Sequence, residues 1–476
     1  MEVVALNRGD EVVDGGGART DRRAPDARDG RGGQVDDRVL PSTDADVTRP
    51  LTNDDLARLQ LTTLLYYMHE SNPDNGLTRD KTNPDAPASI AACGMALATV
   101  PVLVERGVII RKFAAKLARR RLKVLLELPQ GPEPDASGYK GFFYHFLEME
   151  TGRRVWNCEL STLDSAFLFA GALTAATFFD ADTPEEVDVR RYANALYERA
   201  DWGWARDGGA TLTHGWKPES GFIPHRYQGY DEGLLLYLLG LGSPTHPLPA
   251  ESYPAYCASY QWKNIEGREL LYSGPLFTHQ LSHLWVDFRG IRDAFMRERG
   301  SDYFENTRQA TYVQQEYAIR NPMQWKGYGE FSWGFTACDG PGWTKQTIDG
   351  VEREFFDYYA RGAPFGPDDG TVAPWVVAGS LPFAPEIVIP TLRNFAWMDL
   401  GMTRLYGFKP SFNQTFELDN EVGYWVTPYH FGIDQGPVIL MLENYRSELL
   451  WKIMQRCRPL VAGLRKAGFT GGWLDG

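Results

Sequence analysis

Two adjacent acids, Asp231 and Glu232, follow Gly229-Tyr230 and lead directly into the apolar run GLLLYLLGLG. A carboxyl held half-buried at a helix entrance keeps its proton near neutral pH, because burial disfavours the charged form. Such a group can protonate the leaving oxygen of an acetal, the task of a general acid in cleaving a bond between sugars. Asp231 adds to the effect, since two adjoining acids resist ionising together. The plainer alternative is that both acids complement the dipole of the helix that follows. His279 and His283 in HQLSH share one helical face and the spacing of a metal pair, but no Glu lies between them and no third ligand is evident. Structural or sugar-hydroxyl contacts are therefore expected there, with no metal and no cofactor. No GxSxG elbow and no phosphate-binding loop with Lys-Ser/Thr occurs.

These residues must be positioned by a chain of 476 residues, enough for one large domain or two ordinary ones. Residues 1–50 are rich in Gly, Asp and Arg and lack aromatics, a composition that predicts a disordered tail. The folded part, residues 51–476, opens at Thr52, whose spacing to Asp55 suits a capping box. Helix signals then follow one another: 88–103, 110–128, 162–179, a start at Thr183-Pro184, 231–241, 278–297, 302–320, 385–406 and 436–455. The run Arg119, Arg120, Arg121, Lys123 reads as a solvated face. Strand signals are sparse, near 371–378 and 421–426. Helix after helix joined by aromatic, Gly- and Pro-rich loops predicts an all-α toroid of alternating inner and outer helices, with an irregular helical bundle as the alternative.

Composition narrows the partners. A net charge of −13 argues against nucleic acid and against an anionic polymer, while neutral sugars remain compatible. The 13% aromatic share suits ring faces stacking on sugars, although a well-packed core also uses aromatics. Five widely spaced cysteines without a CxxC predict reduced thiols. No secretory leader or membrane-length apolar run is visible, so a cytoplasmic location and no membrane partner are expected. Oligomeric state is not encoded in these features.

Seven segments are too polar and aromatic for mere connections: 138–152, 156–175, 214–232, 276–290, 326–342, 370–394 and 431–446. Their strings include GYKGFFYHFLEMETG, HGWKPESGFIPHRYQGYDE, KGYGEFSWGFTACDGPG and FGIDQGPVILMLENYR. Together and in this order they resemble the bacterial glucoamylase-like family. That family includes endo-β-1,2-glucanases, sophorose-releasing enzymes and the related domain of cyclic β-1,2-glucan synthases. The resemblance covers roughly residues 52–456. It implies an (α/α)6 barrel that cleaves β-1,2-glucan or its oligosaccharides by acid/base catalysis without a cofactor, in an inverting scheme. A retaining transglycosylase and a non-catalytic glycan-binding protein are the alternatives.

Carried over residue by residue, the resemblance implies Glu232 as general acid and Asp434 as general base. Asp434 could equally cap the helix expected at Gly436-Pro437. Asp164 and Asp339 match acidic family positions in the sugar cleft; a paired structural acid and a turn-holding Asp are their plainer readings. Cys338 stands where relatives more usually carry Ser, which would alter a local subsite contact. Asp231, Tyr230, Trp216, Trp333, Trp343, Trp425, Tyr328, Glu330 and His279 complete the binding candidates. Arg289 is expected first as the ion-pair partner of Asp287 and second as a binding group.

Overall fold

The computed structural model describes residues 51–476 apart from residue 421, and these fall in one compact unit. The expected tail, 1–50, lies outside the described residues. Thr52 starts the first helix with the expected reciprocal cap: its side chain accepts from the Asp55 amide while the Asp55 carboxylate takes the Thr52 amide.

The described chain is mostly helical. Twelve helices among the described residues carry the frame. They are α1 (Asn53–His69), α2 (Ile90–Ala98), α3 (Arg111–Glu127), α4 (Thr162–Phe178), α5 (Pro184–Glu198), α6 (Leu234–Gly242), α7 (Phe277–Gln280), α8 (Tyr303–Arg320), α9 (Pro374–Gly379), α10 (Pro385–Trp397), α11 (Gly432–Ser447) and α12 (Arg458–Lys466). Two kinds can be told apart by pattern. α2 and α6 are buried along their whole length, and α4 from Thr162 to Ala176, because apolar residues occupy every side. α3, α5 and α12 bury one face only. The buried helices pack on one another, α2 on α4 and α4 on α6, and α11, largely buried, packs on both α2 and α9. Gln280 of α7 donates to the Val376 carbonyl and Ser380 hydroxyl at α9. The one-faced helices lie outside them, with α5 on α4, α12 on α6, α10 on α9 and α1 on α11.

The α2–α4 contact depends on glycine. A Cβ at Gly171 would stand 2.0 Å from the Gly94 carbonyl oxygen, and one at Gly94 would stand 2.4 Å from that of Phe167. Backbones this close exclude any side chain.

Short strands fringe the helix entrances. β1 (Ala88–Ser89) runs into α2 and pairs with β4 (Phe146–Leu147). An antiparallel sheet orders β2 (Gly138–Tyr139), β3 (Phe142–Tyr144), β5 (Leu160–Ser161), β6 (Gly215–Lys217) and β7 (Gly221–Phe222), with β5 running into α4.

Several expectations are corrected. Residues 374–379 form a helix, not a strand, because Pro374 sits at a helix first turn, where its missing N–H costs nothing. The helix expected over 278–297 stops being α-helical at Gln280 and continues as a 3-10 turn, Leu281–Leu284. That expected at 436 begins at Gly432, with Pro437 inside it. Arg121 is buried: it reaches the carbonyls of Ala96 and Tyr67, each at 3.0 Å, so the basic run is not a uniformly solvated face. Among the described residues no helix is long and apolar enough to cross a membrane.

Candidate active site

Four helix entrances supply the site. At α4, Ser161 is the N-cap: its hydroxyl accepts from the Asp164 amide at 3.1 Å and donates to Asp164 Oδ2 at 2.5 Å. At α6, the cap is Gly233, so Glu232 lies just outside the helix and not in its first turn. Asp231 Oδ1 accepts from the Gly233 amide at 2.8 Å, which fixes the turn that presents Glu232. At α11, Asp434 is the third helical residue, and the cap position is held by Phe431 without a side-chain cap bond. Asp434 is therefore not an N-cap. The fourth entrance is that of α2, whose approach carries Asp80.

Asp80 is tied to α11 by backbone. Its carbonyl accepts from the Gly432 amide at 2.7 Å, and Thr82 N donates to the His430 carbonyl at 3.0 Å. His145 links the α2 and α4 entrances. Its carbonyl accepts from Ile90 N and its amide donates to the Glu159 carbonyl. Its ring places Nδ1 2.8 Å from Glu159 Oε1 and Nε2 3.6 Å from Asp164 Oδ1.

The electrostatics follow from this crowding. Burial, together with the Asp164 carboxylate, pushes Glu232 up to about 7. Burial and then Glu232 raise Asp231 well above the carboxylate range. Asp434 is raised by burial and then by Asp339 and Asp80. Burial opposes charge on His145, but Asp164, Glu159 and Asp80 outweigh it and raise the ring to about 9. Against its own burial, the His145 bond keeps Glu159 below the ordinary range. The cluster thus sets one imidazole that favours its charged form among acids, three of which, Asp231, Glu232 and Asp434, resist ionisation.

Asp339 reaches this group on a braced loop. Strand residues Ala337 and Cys338 pair with Tyr359 and Ala360, and the Ser411 hydroxyl donates to the Asp339 carbonyl at 2.8 Å. Beneath it, fully buried Arg361 grips Asp369 through Nε at 2.6 Å and Nη2 at 2.7 Å, and donates to the Cys338 carbonyl at 2.6 Å. Cys338 is buried with its sulfur 3.7 Å from Arg361 Nη1, so its side chain belongs to this brace and not to a subsite.

The acids Asp164, Asp231, Glu232, Asp339 and Asp434 are thus brought together. Other candidates lie elsewhere. Trp333 is fully buried and donates to Thr391 Oγ1 at 2.9 Å, a core contact. Buried His279 meets the Ser273 carbonyl at 3.2 Å, and His283 meets Thr307 Oγ1 at 3.0 Å; burial lowers them to about 4 and about 3. Tyr230 turns edge-on to His279, with ring centroids 5.0 Å apart, and joins that packing. Arg289 binds Asp287 at 2.8 Å and, at 2.9 Å, Glu448 at the far end of α11, roughly 20 Å along the axis from Asp434. It is a structural ion pair. Tyr328 donates to Asp368 at 2.6 Å, and Glu330 is exposed. Trp216 packs with Tyr139, Trp204 and β6 neighbours; Trp425 is half-buried in the 412–417/424–426 hairpin. Trp343 is exposed beside Phe356 and Tyr359 on the Asp339 side.

Sequence reading missed Asp80, His145 and Glu159. His145 and Glu159 sit inside segments marked as too polar for connections, which was the available signal; Asp80 had none. Among the described residues no group of three or more His, Cys, Asp or Glu is arranged to hold a metal ion.

The chain is similar to known proteins over most of its length. Residues 224–458 match the family described as "Putative glucoamylase". A solved structure of the same description from Bacteroides uniformis is 30% identical, with a TM-score of 0.77 over 90% of this chain and 100% of that one. An endo-β-1,2-glucanase from Chitinophaga pinensis, solved with sophorotriose and glucose, is 26% identical with a TM-score of 0.75, covering 89% and 100%. An exo β-1,2-glucooligosaccharide sophorohydrolase from Parabacteroides distasonis is 27% identical over 463 residues. That match takes in 88% of this chain, which spans only 58% of the relative's length. With its acids gathered at the entrances of buried helices, and with the 30%-identical Bacteroides uniformis structure matched over its whole length, the chain belongs to the glucoamylase-like family.

Proposed function

We propose that the chain hydrolyses β-1,2-glucan or β-1,2-linked gluco-oligosaccharides, with Glu232 as general acid and Asp434 as general base. The observation that carries this is the pair of raised carboxyls, Glu232 and Asp434, in one cluster of acids built from several helix entrances. Glu232 protonates the leaving oxygen, directly or through a substrate hydroxyl. Asp434 takes a proton from water, which attacks the anomeric carbon from the opposite face, giving inversion. To act as base Asp434 must ionise, which Asp339 and Asp80 oppose. Sugar hydroxyls donating to those two acids would spread their charge and ease that step, and the His145 imidazolium offsets the negative cavity.

The frame we propose is an (α/α)6 barrel. Its inner ring is α2, α4, α6, α7 with its 3-10 extension, α9 and α11, each packed or hydrogen-bonded to the next. Relatives named for hydrolysis of β-1,2-glucans support hydrolysis over transfer or mere binding. The test is incubation with linear β-1,2-glucan and its short oligosaccharides, with chromatography and anomeric NMR of the products. Inverted products from the wild type and none from Glu232→Gln are expected. A retained anomer would overturn the inverting scheme, and no products would overturn the substrate class.

A further inference from the structure

One large aromatic near the acids has no role in the scheme above. Trp156 is 61% exposed, although its chain neighbours on either side lead into buried structure. Isolated exposed apolar side chains are ordinary, but three features set this one apart.

The first is its seat. The indole rests on Phe146 with ring centroids 5.4 Å apart, and Phe146 stacks face to face on His145 at 3.9 Å and 12°. His145 Nε2 is in turn 3.6 Å from Asp164 Oδ1. Two ring steps therefore join the exposed indole to the acid cluster.

The second is backbone conformation. Trp156 and Asn157 both take left-handed values, φ 57° and 50°, which is uncommon for residues other than glycine. Such conformations persist where surrounding structure imposes them, and they gather at binding sites.

The third is bracing. Arg154, with its side chain almost wholly buried, binds the Glu219 carboxylate at 2.7 and 3.1 Å and the Cys158 carbonyl at 2.6 Å. Val155 N donates to the Phe146 carbonyl, and Cys158 N donates to that of Val155. The turn is pinned on both sides of the tryptophan, so its ring is presented without the ordering cost of a free loop.

We propose that Trp156 is the platform of a glucosyl-binding subsite, its indole face stacking on the C–H face of a sugar unit outside those flanking the cleaved bond. The inference rests on the reading of the site as glucan-cleaving, and it assigns a position to the longer substrates.

The test uses the full chain in a Glu232→Gln background, so that substrates bind without turnover. Isothermal titration compares a β-1,2-linked disaccharide with a longer β-1,2-linked oligosaccharide, before and after adding Trp156→Ala. The longer chain should lose about tenfold in affinity, the fold-change matching ~1.4 kcal/mol, while the disaccharide loses much less; Trp156→Phe should restore most of the loss. Equal affinities in parent and Trp156→Ala would overturn the subsite alone, as would an equal loss at both lengths with a lowered melting temperature. A parent that binds no β-1,2-linked chain, beside a wild type that does not turn over β-1,2-glucan, would overturn both the subsite and the glucan reading. Wild-type turnover of β-1,2-glucan, measured alongside, shows which of the two has failed.

Discussion

Helix α11 carries two buried carboxyls, Asp434 in its first turn and Glu443 further along, and their environments push them in opposite directions. Asp434 is raised by burial, Asp339 and Asp80. Glu443, its side chain also buried, is held low. Arg106 grips both of its oxygens, Gln60 donates at 2.9 Å and Ser447 at 2.5 Å. Burial alone raises any carboxyl; the sign is decided by the company each one keeps. At one end of the helix the fold supplies a cation and donors, which is what a structural acid needs. At the other it gathers like charges, which costs stability and is the arrangement expected of acids kept for chemistry. The Arg289–Asp287–Glu448 group repeats the first pattern beside the same end as Glu443, and Glu232 with Asp231 repeats the second.

Substitutions at the crowded end should remove activity and spare the fold. Glu232→Gln and Asp434→Asn are each expected to lower kcat on β-1,2-glucan by about a thousandfold, within the range for losing a general acid or base. Their melting temperatures should equal or exceed that of the wild type, because a like charge has been removed. A large fall in melting temperature for Asp434→Asn would break the comparison.

Substitution at the paired end should do the reverse. Arg106→Ala leaves Glu443 buried without its cation and is expected to destabilise by about 3 kcal/mol in denaturant melts. Remaining folded enzyme should keep its kcat. A small change in stability with a large loss of kcat would invert the roles assigned to the two ends.

The pH dependence sharpens the same point. Glu232 is raised in the folded chain, so its contribution to stability is full below the unfolded value near 4.5 and is lost as pH rises through about 7. The wild type should therefore lose roughly 1–3 kcal/mol relative to Glu232→Gln between pH 5 and 8. Parallel melts across that range would contradict the raised carboxyl. The smallest effect is expected at Ser161→Ala, about 1 kcal/mol for a lost N-cap, seen as a modest fall in melting temperature.

What could be read from sequence was what local spacing decides. The Thr52–Asp55 cap, the Thr183-Pro184 start and the largely buried α4 are all set within a few residues, and all three are found. Glu232 and Asp434 were legible as acids beside helix entrances, because each adjoins an apolar run. Asp80, His145 and Glu159 were not, since their meeting depends on backbone pairing between distant segments, Thr82 with His430 and Phe143 with Ser161. Arg121 looked like its solvated neighbours because nothing local records that Tyr67 and Ala96 offer it carbonyls. Trp333 shows the converse limit. Its aromatic identity fits cleft and core alike, and only its bond to Thr391 on α10 places it in the core.

The most direct test is the pH profile of kcat/KM on linear β-1,2-glucan for the wild type and Glu232→Gln. A wild-type profile that falls as pH rises through about 7, with residual activity in the variant lacking that fall, is the predicted result. The same basic limb in both proteins, or full turnover by the variant, would contradict the assignment of Glu232 as the acid.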